Sequence, residues 1–362
     1  MVSFAANDIS HHFKHPSMAY RFKLDEPFQR SLHRIAREQL DRALSELAER
    51  EVNPTGVHES RKALKRLRAL LRLVKPAIGE KVFSKRNSAL RRAAGVLSVR
   101  RDEAVLLETI EKLERHTGAS EILVPLRDAI QDTHVHLARP LETETAEKAR
   151  SLLLKEAKHF AHMRLKGKGF ATVQPGLEAS YRTGRRALKN AYEKSTSENF
   201  HELRKAVQWH WRQMSLLSRA WPEAFDARVS AARELSQVLG DDHDLAMLDN
   251  SARNTPTLSP AQLAALIQLI EARQSELRQA VEYRAARLFA EAPRAFSKRM
   301  AQYWQYGRNV KSLLKPEASK ASIEVVPQEK PGLEQNAEQP PTRQGPKLAS
   351  KTPGDAPSQR RA

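Results

Sequence analysis

The segment His58-Glu59-Ser60-Arg61-Lys62-Ala63 returns as His201-Glu202-Leu203-Arg204-Lys205-Ala206, changed only at its third residue. The shared side chains are anion-binding groups. Arginine offers a planar fork of donors that matches phosphate or carboxylate oxygens. Lysine is a mobile point charge, and histidine is a donor whose charge depends on pH. A spaced His, Arg and Lys set that occurs twice points to a duplicated domain with the same cationic cluster in each copy.

The elements that must position these groups are helices. At 100° per residue, His58, Arg61, Lys62, Lys65, Arg68 and Arg72 fall on one side of a helix, and Ala63, Leu64, Leu67, Leu70, Leu71 and Val74 on the other. His58 to Arg72 spans about 21 Å along the axis, so the groups form a row and not a point. No acid is expected on the cationic side. The second copy keeps His201, Arg204, Lys205 and Arg212 on one side, with Leu203, Ala206, Val207, Met214 and Leu217 opposite. Gln208 stands where Lys65 stood. His210 falls on the apolar side and reads as a packed core histidine; Trp209 and Trp211 flank the stripe and read as buried, or as the walls of a groove. The preceding helices add Arg30, His33, Arg34 and Arg37 on one face, and Arg182, Arg185, Arg186 and Lys189 on another. Arg91, Arg92, Arg100, Arg101 and Arg233 are further candidates.

A basic stripe is often only the solvated face of an amphipathic helix. Solvated faces, however, usually mix signs and gain from Glu–Lys pairs one turn apart. Several faces here are almost purely cationic, and crowded like charges repel, which a bound polyanion would offset. Asp102 and Asp244 read as acids that open a helix in each copy, favoured there by the helix dipole. Asp241-Asp242-His243-Asp244 looks like a metal cluster, but the first copy has no matching ligand set. No metal and no cofactor is expected.

The whole chain agrees. Its 362 residues carry 62 Lys and Arg against 43 Asp and Glu, a net charge of +19. That balance favours nucleic acid, acidic membrane surfaces or phosphate polymers as partners without choosing among them. The absence of cysteine excludes disulfides, thiolate catalysis and zinc–thiolate sites. No apolar run approaches a membrane span, and the first residues lack the apolar centre of a signal peptide, so the expectation is a cytoplasmic protein. From Lys315 the chain turns rich in Pro, Gln, Ser and Glu; residues 315–362 read as a disordered tail. Residues 1–18, with His11, His12 and His15, read as a flexible leader.

Between these ends nearly everything reads as helix, with segments expected at roughly 26–51, 57–75, 80–98, 101–116, 120–138, 143–165, 175–194, 199–219, 223–239, 243–253, 259–290 and 294–313. Pro76 and Gly79 mark one boundary, Lys166-Gly167-Lys168-Gly169 another. Ser259-Pro260 reads as an N-cap followed by proline at the first helical position. The repeat extends further: Arg42-Ala43-Leu44 matches Arg186-Ala187-Leu188, and Leu97-Ser98-Val99-Arg100-Arg101-Asp102 matches Leu239-Gly240-Asp241-Asp242-His243-Asp244. The expected fold is all-α, built from an internal duplication: repeat 1 about 19–165 and repeat 2 about 173–314, each a helical bundle.

These motifs resemble the CHAD family, the conserved histidine α-helical domain. The resemblance rests on Val57 to Arg68, on Phe200 to Ala206, on Leu97 to Asp102, and on the opening Tyr20-Arg21-Phe22-Lys23-Leu24 with Glu26-Pro27, and covers about residues 19–314. It implies two pseudo-symmetric four-helix bundles and a central basic groove that binds inorganic polyphosphate, with association to polyphosphate granules. On that analogy His58, Arg61, Lys62, Lys65, His201, Arg204 and Lys205 line the groove. Ser98 departs from the family's glycine, His243 stands where the first copy has Arg101, and Gln208 replaces a basic residue, so the first copy is the stronger binder.

Three functions compete. Polyphosphate binding through many phosphate contacts fits best. An enzyme fits less well: the family's triphosphate-tunnel partner carries Glu-x-Glu-x-Lys on a strand, whereas Glu142-Thr143-Glu144-Thr145-Ala146 puts Ala at the Lys position in helical sequence, and no phosphate-binding loop appears. Nucleic-acid binding or a scaffold role is the third. Aromatics do not interleave with the first stripe, so base stacking is poorly supported.

Overall fold

The computed structural model describes residues 20–48, 52–97, 101–133 and 142–313, with the side chains of 101–103 and 133 left aside. The expected leader with its three histidines, the expected tail, and Ser98, Val99 and Arg100 lie outside the described residues.

The protein is all-α. The elements are α1 (Phe28–Glu46), α2 (Pro54–Ile78), α3 (Glu80–Val96), α4 (Arg101–Thr117), α5 (Ser120–Thr133), α6 (Thr143–Ala161), α7 (Gln174–Glu193), α8 (Ser197–Leu217), α9 (Pro222–Arg253), α10 (Pro260–Leu288) and α11 (Pro293–Leu313), with short 3₁₀ turns at Gly169–Thr172 and Ser218–Ala220. In the first half α1, α2, α3 and α6 pack together; in the second α7, α8, α9 and α10 do, with α11 closing on α7. The two basic strings lie on α2 and α8, which touch across the middle.

Capping fixes the phase of both basic helices. Asn53 accepts from the Gly56 amide at the start of α2, and Thr196 accepts from the Asn199 amide at the start of α8. His58 and His201 follow their caps at the same interval. The apolar faces then drive α2 and α8 into one core. Ala63, Leu64, Leu67, Leu70, Leu71 and Val74 are buried from α2; Leu203, Ala206, Val207, Met214 and Leu217 are buried from α8. The contact of α2 with α7 is close enough to require glycine, since a Cβ at Gly176 would lie 1.8 Å from the Leu73 carbonyl oxygen. The opening segment straps the halves together: Phe22 is buried and its amide donates to the Leu216 carbonyl at 2.8 Å, while the Tyr20 hydroxyl donates to the Arg66 carbonyl.

A second, smaller core holds Leu106, Ile110 and Leu113 of α4, Leu123, Leu126 and Ile130 of α5, Leu245 and Leu248 of α9, and Leu266, Ile270 and Leu277 of α10.

Several boundaries differ from those expected. The segments at 223–239 and 243–253 are one helix, α9, which runs through Gly240. Pro76 lies inside α2; the break falls at Gly79, whose φ of 82° is in the left-handed region. Asp244 therefore sits in mid-helix and opens nothing. Ser259 caps α10 as expected, in a full capping box with Gln262.

Candidate functional site

The stripes of α2 and α8 meet α9 around one cleft of about 320 Å³. Its walls carry Arg61, Lys65 and Arg68 from α2, His201, Arg204, Lys205 and Arg212 from α8, and His243 and Asp244 from α9, with Val105, Gln208, Trp209 and Met247 between them. Among the described residues, six Arg and Lys side chains from both copies thus face a single space, against one carboxylate.

The arginines are held from behind. Arg61 Nη1 donates to the Leu97 carbonyl at 3.1 Å and reaches towards that of Ala94, using the exposed carbonyls at the end of α3. Arg68 Nε donates to Asn87 Oδ1 at 3.0 Å. Arg204 Nη1 stands 3.9 Å from Asp244 Oδ1, and a Cβ at Gly240 would lie 3.3 Å from Arg204 Nη2, so the glycine leaves room for the guanidinium. Arg212 is only 7% exposed, donates to the Gln208 carbonyl at 2.8 Å, and lies over Trp211 with its Cζ 4.1 Å from the ring centroid. No carboxylate comes within ion-pair distance of Arg212 among the described residues. Burial, and the nearby charges of Arg66, Arg233 and Arg68, push its guanidinium down to about 10.

Arg72 extends the row beyond the cleft: its Cζ stands 3.5 Å from the Trp209 centroid, and burial lowers it to about 10, with Arg68 adding to the shift. Trp209 and Trp211 are half-buried and act as platforms for arginine; of the two expected roles, burial or groove wall, Trp209 takes the second.

Two imidazoles face each other on the wall. His201 Nδ1 and His243 Nδ1 are 3.2 Å apart, with centroids separated by 4.4 Å. Burial first, then Arg204 and His201, lowers His243 to about 4; burial, Lys205 and Arg204 lower His201. One nitrogen of the facing pair must carry a proton and the other accept it. Sequence reasoning noted His243 only as a departure from Arg101; its equivalence to that basic position was the signal that it lines the site.

The other sequence-derived candidates lie elsewhere. Lys62 is exposed and pairs with Glu59 at 2.6 Å, and Arg42 pairs with the same carboxylate at 2.8 Å. The first stripe therefore does carry an acid. Burial acts to raise Glu59, but Lys62, Arg42 and His58 together hold its carboxyl below the usual range. His58 is half-buried at the start of α2 and does not line the cleft. Arg34 is tied to Glu26 at 2.9 Å, to Glu38 at 3.5 Å and to the Arg21 carbonyl; Arg37 is exposed on α1. Arg182 pairs with Glu178, and Arg185 donates to the Glu291 carbonyl. None of these four lines the cleft. Arg101 opens α4, but its side chain is outside the described residues. His210 is buried as expected. Asp242 is also buried and pairs with Arg278 at 2.7 Å, a structural use of the acidic string.

A CHAD domain model matches residues 34–253, more than half of the chain and the stretch that contains both basic strings. The chain belongs to the CHAD family. Among solved structures, PptA from Streptomyces chartreusis shares the fold with this CHAD protein. The TM-score is 0.53 at 15% sequence identity, and the match covers 74% of this chain and 100% of that one. A search of curated proteins finds no match. No helix among the described residues is long and apolar enough to cross a membrane.

Proposed function

We propose that this CHAD protein binds inorganic polyphosphate in the cleft between α2, α8 and α9, and that it binds the polymer without processing it. The observation that carries this reading is the convergence of six Arg and Lys side chains from both copies on one space, with the buried Arg212 lacking a carboxylate partner among the described residues. An uncompensated buried cation is costly, and a phosphate oxygen supplies the missing charge. The site offers donors in a row, and its tryptophans already carry arginines, Arg72 on Trp209 and Arg212 with Arg233 on Trp211, which favours a phosphate chain over stacked bases. Binding without turnover fits a cleft in which Asp244, the carboxylate that lines it among the described residues, stands 3.9 Å from Arg204. Association with polyphosphate granules in the cytoplasm is the setting this reading implies.

The test is a titration with long-chain polyphosphate and with duplex DNA of equal total charge at one salt concentration. Polyphosphate is expected to bind at least about tenfold tighter, and both affinities to fall as salt rises through counterion release. Equal affinity for the two polymers overturns the selective reading. Phosphate release from the bound polymer in the presence of Mg²⁺ overturns the non-catalytic one.

A further inference from the structure

The offset that aligns Leu97 with Leu239 also aligns Arg86 of α3 with Arg228 of α9. The two arginines have different partners. Arg86 is buried, and its Nη1 donates to Glu156 Oε1 of α6 at 2.9 Å. Arg228 has no carboxylate within ion-pair distance among the described residues. Its Nε donates to His210 Nε2 at 2.9 Å, and its Nη2 donates to the Leu288 carbonyl of α10. Both acceptors are neutral. Burial, reinforced by the charge of Arg228, holds His210 well below the usual imidazole range, so its Nε2 stays a lone-pair acceptor. The guanidinium lies over the Phe296 ring, with Cζ 4.9 Å from the centroid. Arg228 is therefore fixed in place and half-buried, and among the described residues it has no ion pair of its own; the nearby charge of Glu291 is shared with Arg299, which holds it directly.

It faces a pocket of about 460 Å³ between α9, α10 and α11, which shares no lining residue with the cleft. Arg284 and Arg287 enter the pocket from α10. Arg299 enters from α11 but is held by Glu291, with Nε–Oε2 at 3.0 Å. One other acid, Glu234, faces in and accepts from Ser230. Three arginines thus outnumber one carboxylate. The remaining wall is apolar, with Phe225, Leu288, Met300 and Tyr303. A bare phosphate chain would waste that wall, and an uncharged apolar ligand would leave the arginines unmatched.

We propose that this pocket is a second binding site, for a small organic phosphate whose oxygens meet Arg228, Arg284 and Arg287 and whose apolar body lies against Phe225, Met300 and Tyr303. The volume suits a ligand of mononucleotide size. The duplication explains its origin: the first copy fills this position with Glu156, and the second leaves the arginine open.

The experiment is calorimetric titration of the full-length protein with adenosine monophosphate and phenyl phosphate, alongside inorganic phosphate and adenosine. One saturable site is expected for the two esters, with phosphate and adenosine each about tenfold weaker or more because each supplies half of the contacts. The double variant Arg284→Gln, Arg287→Gln changes only exposed side chains and is expected to weaken ester binding about tenfold with helical content unchanged. Leu288→Glu, which gives the second copy an acid beside its arginine, is expected to abolish it. The absence of saturable binding for both esters overturns the proposal, as does unchanged affinity in the double variant. Loss of ester binding on Arg61→Gln with Lys65→Gln would place the esters in the cleft and overturn it equally.

Discussion

The two copies keep the same scaffold but not the same charges. Both basic helices start from a side-chain cap, bury one aliphatic face and carry Arg and Lys one turn after the histidine. Around that frame the first copy is closed and conventional: Arg86 meets Glu156, and the helix after the basic one breaks into α3 and α4. The second copy runs straight through as α9, gives Arg228 neutral hydrogen-bond acceptors, and exchanges positive charge for Gln208, Trp209 and His243 along the cleft. Caps and apolar faces are needed for the chain to fold, so they persist in both copies. Charge at the cleft and at the inter-helix pocket is not fixed by those folding demands, and there the two copies differ.

The comparison can be broken most directly at the buried arginines. Glu156→Gln is expected to destabilise the protein by about 3 kcal/mol or more, measured by urea unfolding, because it leaves Arg86 buried and unpaired. A loss below about 1 kcal/mol would mean that Arg86 needs its acid no more than Arg228 does. Next in size is the cleft. Joint replacement of Arg61, Lys65 and Arg204 by Gln is expected to lower polyphosphate affinity about a hundredfold, since charge pairs in a groove open to solvent contribute up to about 1 kcal/mol each. Lys62→Gln, which removes a partner of Glu59 outside the cleft, is expected to change affinity less than about twofold.

A smaller effect sharpens the contrast between stripes. Gln208→Lys restores the first copy's pattern and is expected to raise polyphosphate affinity about fivefold and to steepen its salt dependence. An unchanged salt slope would show that the ligand does not reach Gln208. The smallest effect is the pH response. His201 and His243 are both depressed in the empty cleft, His243 to about 4, so both are neutral near pH 7. A polyanion beside them favours the charged form, so binding takes up protons and affinity rises as pH falls from about 7 towards 5. The expected gain is a few-fold, and it is lost in the variant His243→Gln. An affinity that stays flat or falls over that range would remove the pair from the binding surface.

Much of the fold was legible in the sequence because it follows from local rules. Apolar periodicity placed the helices, Ser259-Pro260 marked a helix start, and the repeated string located α2 and α8. The continuity of α9 was not legible. Gly240-Asp241-Asp242 has low helix propensity and reads as a break, but burial of Leu239, Leu245 and Leu248 and the Asp242–Arg278 pair carry the helix through. The site was half legible. Helix phase put Arg61, Lys65, Arg204 and Arg212 on the faces that line the cleft, yet it passed over acids one turn away on the same helix and could not see one that comes from before α1. Glu26 takes Arg34, Glu178 takes Arg182, and Glu59 takes Lys62. Nor could it see that Trp209 would receive Arg72, a contact that exists only once α2 and α8 are packed.

The unbroken α9 has one more consequence. Its 32 residues extend about 48 Å, and they belong to both cores. Phe225, Val229, Ala232 and Leu235 anchor one half, Leu245, Leu248 and Ala252 the other, with Val238 packed against both. His243 and Asp244 lie near the crossing. Amide protons around them exchange with solvent only when one of the two cores releases the helix. On the proposed function, a chain of phosphates laid across that point is expected to slow exchange beyond the cleft wall, in α5 and α10, which share the smaller core with α9.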